Sequence, residues 1–167
     1  MVDRYNAVIT SITGHSGGGN AMIESYEKDP TQTPIQYSTG IAHKHLPEIK
    51  KFGGIYYPIF QPEVVNNYQG LKTNTFMRIN PHAAYLSEEE VIEILKKYYK
   101  DSPLIKIKSI PEDDKIDMSE NNCSDEVSIY IKKNDTTRLQ VIAVLDNLGK
   151  GSAGAVIQNA ELMLELN

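Results

Sequence analysis

The residues with chemistry to offer are concentrated at positions 40–49, Gly-Ile-Ala-His-Lys-His-Leu-Pro-Glu-Ile, where two of the four histidines, a lysine and a carboxylate fall within six positions. Gly40 to Ala42 reads as the end of a strand, and Pro47 suits the first turn of a helix, where a missing N–H costs nothing. His43, Lys44 and His45 then lie on the turn that enters the helix. Glu48, three residues beyond His45, is spaced to orient that imidazole. A histidine held by a carboxylate at a strand-to-helix junction is suited to general acid/base work. What the constellation lacks is a nucleophile. Cys123 is the one thiol, and its acidic surroundings, Glu-Asn-Asn-Cys-Ser-Asp-Glu, disfavour the thiolate, so it reads as structural or incidental. A zinc site from His15, His43, His45 and His82 is not expected: no pair has a helical ligand spacing, and His43-x-His45 has no further ligands beside it.

Two glycine-rich stretches flank this centre. Thr13-Gly-His-Ser-Gly-Gly-Gly19 lies between a strand and a helix. It can offer bare N–H groups to an anion, or it can be a turn that needs positive φ at several glycines. Gly149-Lys-Gly-Ser-Ala-Gly154 matches G-x-G-x-x-G after a strand and before a helix. A dinucleotide fingerprint also needs a complete βαβ unit and an acidic residue about twenty positions on. Thirteen residues follow Gly154 in this sequence, so it is not a self-sufficient Rossmann unit. It reads as a helix entry whose small residues allow close packing, or as a helix start lying beside a cofactor held mainly by something else.

The elements that position these groups follow from periodicity. Val8 to Ile12 predicts a strand, Asn20 to Glu27 a short helix with Met22, Ile23 and Tyr26 on one face, and Ile35 to Ala42 a second strand. A helix reaches to about Phe52 and ends at Gly53-Gly54. Ile55 to Phe60 is an apolar stretch broken by Pro58, Pro62 to Gly70 a loop, and Leu71 to Ile79 a long alternating strand with apolar residues in both sets. Ser87 to Lys100 is the clearest helix: Ser87 and Glu90 form a capping box, and Val91, Ile92, Leu95, Tyr98 and Tyr99 make its apolar stripe. Leu104 to Lys108 predicts a short strand and Ser109 to Asp125 an acidic loop. Val127 to Lys132 and Arg138 to Leu145 read as a hairpin turned at Asn134-Asp135. Gly151 to Leu166 is a final helix with Val156, Ile157, Ala160, Met163 and Leu164 on one side. Strands in a run with helices inserted predict an α+β domain with a mixed, largely antiparallel sheet and helices packed on one face.

With 167 residues, 40% hydrophobic and 23% charged, the chain is long enough for one domain, residues 1–167, with a proper core. A net charge of −5 argues against a nucleic-acid surface. No apolar run reaches the length of a membrane span, and no apolar region follows Met1-Val2-Asp3-Arg4 as a signal peptide would require. A single cysteine fits a reducing, cytoplasmic setting. The strand-like pattern begins at Tyr5 with no lead-in element, as it would in a segment of a longer protein and equally in a chain with a short natural N-terminus.

Taken together, Ser16-Gly-Gly-Gly19, Ala42-His-Lys-His-Leu-Pro-Glu-Ile49, Asp146-Asn-Leu-Gly-Lys-Gly-Ser-Ala-Gly154 and Gln158-Asn159 resemble N-acetyl-gamma-glutamyl-phosphate reductase in its second, shorter type. Pro58-Ile-Phe-Gln-Pro62 and Tyr68-Gln-Gly70 lie between and look similar. The resemblance implies a catalytic and oligomerisation domain like the C-terminal domain of glyceraldehyde-3-phosphate dehydrogenase, with the Rossmann domain upstream and absent from this sequence. It implies NADP as cofactor, an acyl phosphate as small-molecule substrate, and a homo-oligomer. In that family a cysteine within Asn-Pro-Gly-Cys attacks the acyl phosphate, and the thioester accepts hydride; that motif too lies upstream. Residue by residue, His45 matches the acid/base and Glu48 its orienting carboxylate. Ser16, Gly17, Gly18 and Lys44 match substrate-binding positions, and Asn147, Gly151 and Ser152 the part that closes over the nicotinamide. One departure is Asn20-Ala21, where many relatives carry a basic residue after the glycines. The chain alone is expected to be inactive. A naturally short self-associating protein, and a related reductase of lysine biosynthesis, are alternative readings of the same residues.

Overall fold

The computed structural model describes residues 2–40 and 42–165. Seven strands, β1 (Val2–Gly14), β2 (Ile35–Gln36), β3 (Tyr57–Val65), β4 (Leu71–Ile79), β5 (Ile105–Ser109), β6 (Val127–Lys133) and β7 (Arg138–Leu145), form one sheet in the order β2-β3-β1-β4-β7-β6-β5. The β1–β3 and β5–β6 pairs are parallel and the other four antiparallel. This is the mixed, largely antiparallel sheet expected from the sequence. Four helices accompany it: α1 (Asn20–Lys28), α2 (Leu46–Gly53), α3 (Glu88–Tyr98) and α4 (Gly154–Met163).

Register decides what each face of the sheet meets. Ala7, Met77 and Leu139 lie side by side across β1, β4 and β7, and the next pair on the same face, Val141 with Ile131, joins β7 to β6. Val91 and Ile92 of α3 bury themselves on this face against Ile79, Ile131 and Leu139. The α3 start is held as its sequence predicts: the Glu90 backbone N–H donates to Ser87 Oγ, and the Ser87 N–H donates to the Glu90 carboxylate. The opposite face around Tyr130, Ile142 and Val144 is covered by Ile110 and Ile116 of the acidic loop. That loop is fastened by Glu120, which accepts from the Tyr130 hydroxyl (2.5 Å) and from Lys108 Nζ (2.6 Å).

Several sequence expectations need correction. β2 covers only Ile35–Gln36 of the expected Ile35 to Ala42 strand. Ser38 has φ 49°, in the left-handed region that interrupts extended chain; Ile41 lies outside the described residues. β3 runs through Pro58 and Pro62 to Val65, well into the segment expected to be a loop. The prolines are tolerated because both share the parity of Val64, whose main-chain groups face β2, so the missing amides point away from β1. The Pro62 carbonyl still accepts from the Tyr37 N–H at 3.3 Å. The last helix opens as a π-turn over Gly149–Ala153 before α4, and Leu166 lies outside the described residues. Its apolar side chains are not packed: Val156, Ile157, Met163 and Leu164 are all exposed.

Candidate active site

Three connections at one end of the sheet meet over the face that carries Ser11 and Thr13 of β1. The first is the β1–α1 turn. Gly14, His15 and Ser16 donate their N–H groups to the carbonyls of Gly70, Asn67 and Tyr68 at 2.9, 2.9 and 3.1 Å. Glycine is required at position 14 because a Cβ there would lie 2.6 Å from the Tyr68 carbonyl oxygen. The chain then makes a 3-10 turn over His15–Gly18 and enters α1 through Gly19, whose φ is 73°. His15 is buried, with its ring stacked on Tyr26 of α1 at 4.6 Å and 8°.

The second connection is the histidine turn. The Leu46 N–H donates to the His43 carbonyl at 3.0 Å, and Pro47 sits in the first turn of α2. His43 is 5% exposed, edge-on to Phe60 of β3 (4.8 Å) and to His45 (4.8 Å). Its Nδ1 accepts the backbone N–H of His45 at 3.1 Å. An acceptor Nδ1 leaves the proton of the neutral ring on Nε2. Burial, and then the charges of His45 and Lys44, hold the His43 pKa below its ordinary value, which keeps the ring in that neutral form. His45 and Lys44 are exposed.

The third connection follows β7. Asp146 is buried, and its carboxylate accepts from the Cys123 N–H (2.8 Å), the Leu148 N–H (2.9 Å) and Gln69 Nε2 (3.0 Å). Asn147 then bridges the β3–β4 connection and the β1–α1 turn. Its Oδ1 accepts from the Gly70 N–H at 2.8 Å, and its Nδ2 donates to Ser16 Oγ at 2.9 Å.

These connections enclose a cleft of about 530 Å³. Of the nine candidate residues, eight line it: Ser16, Gly17, Gly18, Lys44, His45, Asn147, Gly151 and Ser152. Glu48 does not. It is exposed on the first turn of α2, and no hydrogen bond or ion pair joins it to His45 among the described residues. The sequence reading places His45 on the turn into the helix yet gives it the i, i+3 reach that holds within a helix. His45 is the residue before α2, with its ring turned toward His43 and Phe60. Lining residues with no site role in the sequence reading include Tyr37, Phe60, Ser11 and Thr13, and His43, named there without a role of its own, lines the cleft as well. Alternation along β1 would have placed Ser11 and Thr13 on one face. The Tyr37–His43 and His43–Phe60 contacts join segments with no shared pattern. Tyr37, 37% exposed, has its phenol pKa raised by desolvation.

The G-x-G-x-x-G stretch is a packing device. The Gly151 N–H is taken by the Asp146 carbonyl at 2.8 Å. A Cβ at Gly149 would lie 2.6 Å from the Ser124 carbonyl oxygen, and one at Gly154 would meet the Asp125 carboxylate. The glycines let the turn close against the Ser124 carbonyl and the Asp125 side chain. Leu148, Gly151 and Ser152 line the cleft. Among the described residues no group of three or more potential metal ligands occurs.

Comparison with known proteins adds the following. The family model described as "Semialdehyde dehydrogenase, dimerisation domain" matches residues 1–147. The chain is similar to the N-acetyl-gamma-glutamyl-phosphate reductase of Chelativorans sp., with 33% identity over 96% of this chain and 54% of the relative. The same enzyme of Sinorhizobium medicae is 30% identical over 98% of this chain and 56% of the relative. The chain thus spans about half the length of the curated relatives it matches. Its fold is similar to that of aspartate semialdehyde dehydrogenase II of Vibrio cholerae, with a TM-score of 0.72 and 16% identity over 98% of this chain and 56% of that one.

Proposed function

This chain belongs to the semialdehyde dehydrogenase dimerisation-domain family, and we propose that it is the catalytic and dimerisation domain of an N-acetyl-gamma-glutamyl-phosphate reductase. The observation that carries this reading is the convergence of Ser16–Gly18, Lys44–His45 and Asn147–Ser152, three segments far apart in sequence, on one cleft. The sequence similarity over 96–98% of the chain supports the same assignment.

In the proposed reaction, a cysteine thiolate from polypeptide outside these 167 residues attacks the carbonyl carbon of the acyl phosphate. The C–O bond to phosphate breaks, and a thioester forms. NADPH, bound chiefly by the domain outside this chain, supplies the hydride that reduces the thioester to the semialdehyde and releases the thiolate. The residues here bind and orient. Ser16, with Gly17 and Gly18 beside it on the cleft wall, faces the anionic oxygens of the substrate, and Lys44 adds a positive charge at the rim. His45 serves as the acid/base, taking the thiol proton before attack. His43 backs it, its buried Nδ1 pinning the His45 backbone. Glu48, with no bond to His45 here, takes its orienting role only if the ring turns toward α2. Asn147, Gly151 and Ser152 border the nicotinamide. The exposed apolar row of α4 is covered by the cofactor domain, and two copies associate through the sheet. A reducing, cytoplasmic setting keeps the nucleophile reduced.

The test is to join the upstream half of the polypeptide to this chain and assay acyl-phosphate-dependent NADPH oxidation. Wild type is expected to turn over. His45→Ala is expected to lose about 10²–10⁴-fold in kcat, the usual contribution of a positioned acid/base. The 167-residue chain alone is expected to show no turnover. Turnover by the isolated chain, or an unaffected His45→Ala enzyme, would refute the assignment.

A further inference from the structure

We propose that Asn147 is a positioning residue that fixes which way the Ser16 hydroxyl proton points, and so makes Ser16 a donor to an anionic oxygen in the cleft. The inference rests on the reading of that cleft as an acyl-phosphate site, and it assigns the Asn147 carboxamide a task besides bordering a cofactor.

The argument is one of hydrogen-bond polarity. A backbone N–H can only donate, so the atom of Asn147 that faces the Gly70 N–H at 2.8 Å must be the carbonyl oxygen Oδ1. This settles the orientation of the amide, which at many sites is ambiguous. Nδ2 therefore faces Ser16. An amide nitrogen can only donate, so Ser16 Oγ accepts in the 2.9 Å bond between them. The Ser16 O–H is left to donate elsewhere, and among the described residues it has no acceptor. Ser16 is 6% exposed, and what it lines is the cleft.

The anchor of this chain of bonds is rigid. Gly70 is buried with φ 109°, and a Cβ there would lie 2.7 Å from the Met118 carbonyl oxygen. Gly70 also accepts the Gly14 N–H at 2.9 Å, which ties it to the base of the turn bearing Ser16. The β3–β4 connection thereby dictates the polarity of a hydroxyl on the β1–α1 connection through a residue that follows β7. An acceptor-rich ligand gains from this arrangement, because it meets a proton already aimed at it.

A double-mutant cycle in the full-length enzyme tests the assignment, with inorganic phosphate as the competing probe and KM for the acyl phosphate and for NADPH as the other readouts. Ser16→Ala is expected to weaken phosphate inhibition about tenfold or more, the usual scale of a hydrogen bond to a charged group. Asn147→Ala should produce most of the same loss, yet add less than about threefold in the Ser16→Ala background. Asn147→Asp retains the acceptor for the Gly70 N–H, and with it the fold, while removing the donor. It should lose phosphate affinity with an unchanged melting temperature, whatever change accompanies it in KM for NADPH. Additive losses in the cycle, or an Asn147→Asp effect confined to NADPH, would overturn the proposal. So would full phosphate affinity in Asn147→Asp. A wild-type enzyme that neither reduces the acyl phosphate nor binds phosphate would sink the underlying reading and this assignment with it, whereas normal wild-type turnover with additive losses sinks this assignment alone.

Discussion

At the scale of single residues, His43 carries a consequence for stability. Its folded pKa lies below the ordinary histidine value because burial and two neighbouring cationic groups oppose its charge. The unfolded chain therefore takes up a proton at a pH where the folded chain does not. Stability is complete above about pH 6.5, the unfolded value, and falls as the pH drops below it toward the lower folded pKa. His43→Asn offers an acceptor in place of Nδ1 but cannot titrate. Urea melts of the variant between pH 7.5 and 5 should show a flatter pH dependence than wild type; an unchanged slope would mean that other groups supply it. Gly70 is the second residue whose identity the backbone dictates. Gly70→Ala combines a left-handed φ with a Cβ driven into the Met118 carbonyl, and should cost about 1–3 kcal/mol or more in chemical denaturation.

At the scale of elements, how legible each piece was depended on whether its pattern was local. α3 was readable to its cap, because Ser87 and Glu90 satisfy each other within four residues. Ser87→Ala should lower the unfolding free energy by about 1 kcal/mol through the denaturant midpoint, with the m-value unchanged. β4 and the β6–β7 hairpin were equally plain from alternation. β3 was hidden by its own prolines, since their harmlessness depends on a parity toward β2 that only the assembled sheet supplies. The site divides in the same way. The glycine-rich turn and the histidine turn could be found as motifs, whereas the Asn147–Ser16 bond joins residues 131 apart and leaves no periodic trace. The His45–Glu48 pairing illustrates the opposite hazard: an i, i+3 spacing predicts contact only when both residues belong to the same regular helix, and His45 stands just outside α2.

For the whole molecule, the open half of the sheet poses the remaining physical question. Val8, Ile59 and Phe76 lie side by side across β1, β3 and β4 on the face away from α3. They are 39%, 53% and 43% exposed, and Tyr57 beside them is 59% exposed. The acidic loop covers this face over β6 and β7 and reaches the near end of β4, where Lys72 Nζ donates to the Ile116 carbonyl at 3.0 Å. An apolar sheet surface left exposed among the described residues is stabilised by burial against a partner, at about 25 cal/mol for each Å² of apolar area removed from water. In a member of a dimerisation-domain family, a second copy is the partner we expect. Sedimentation of the wild-type protein at micromolar concentration should give a dimer or a larger assembly. Ile59→Lys with Phe76→Glu introduces charge into the middle of the proposed contact and should shift the protein toward monomer. Because both side chains project from the sheet away from the α3 core, the variant should keep its secondary structure. Any loss of thermal stability should depend on protein concentration in the wild type and not in the variant, as mass action requires when folding is linked to association. An undiminished dimer in the double variant would place the contact on another surface, of which the exposed apolar row of α4 is the next to test.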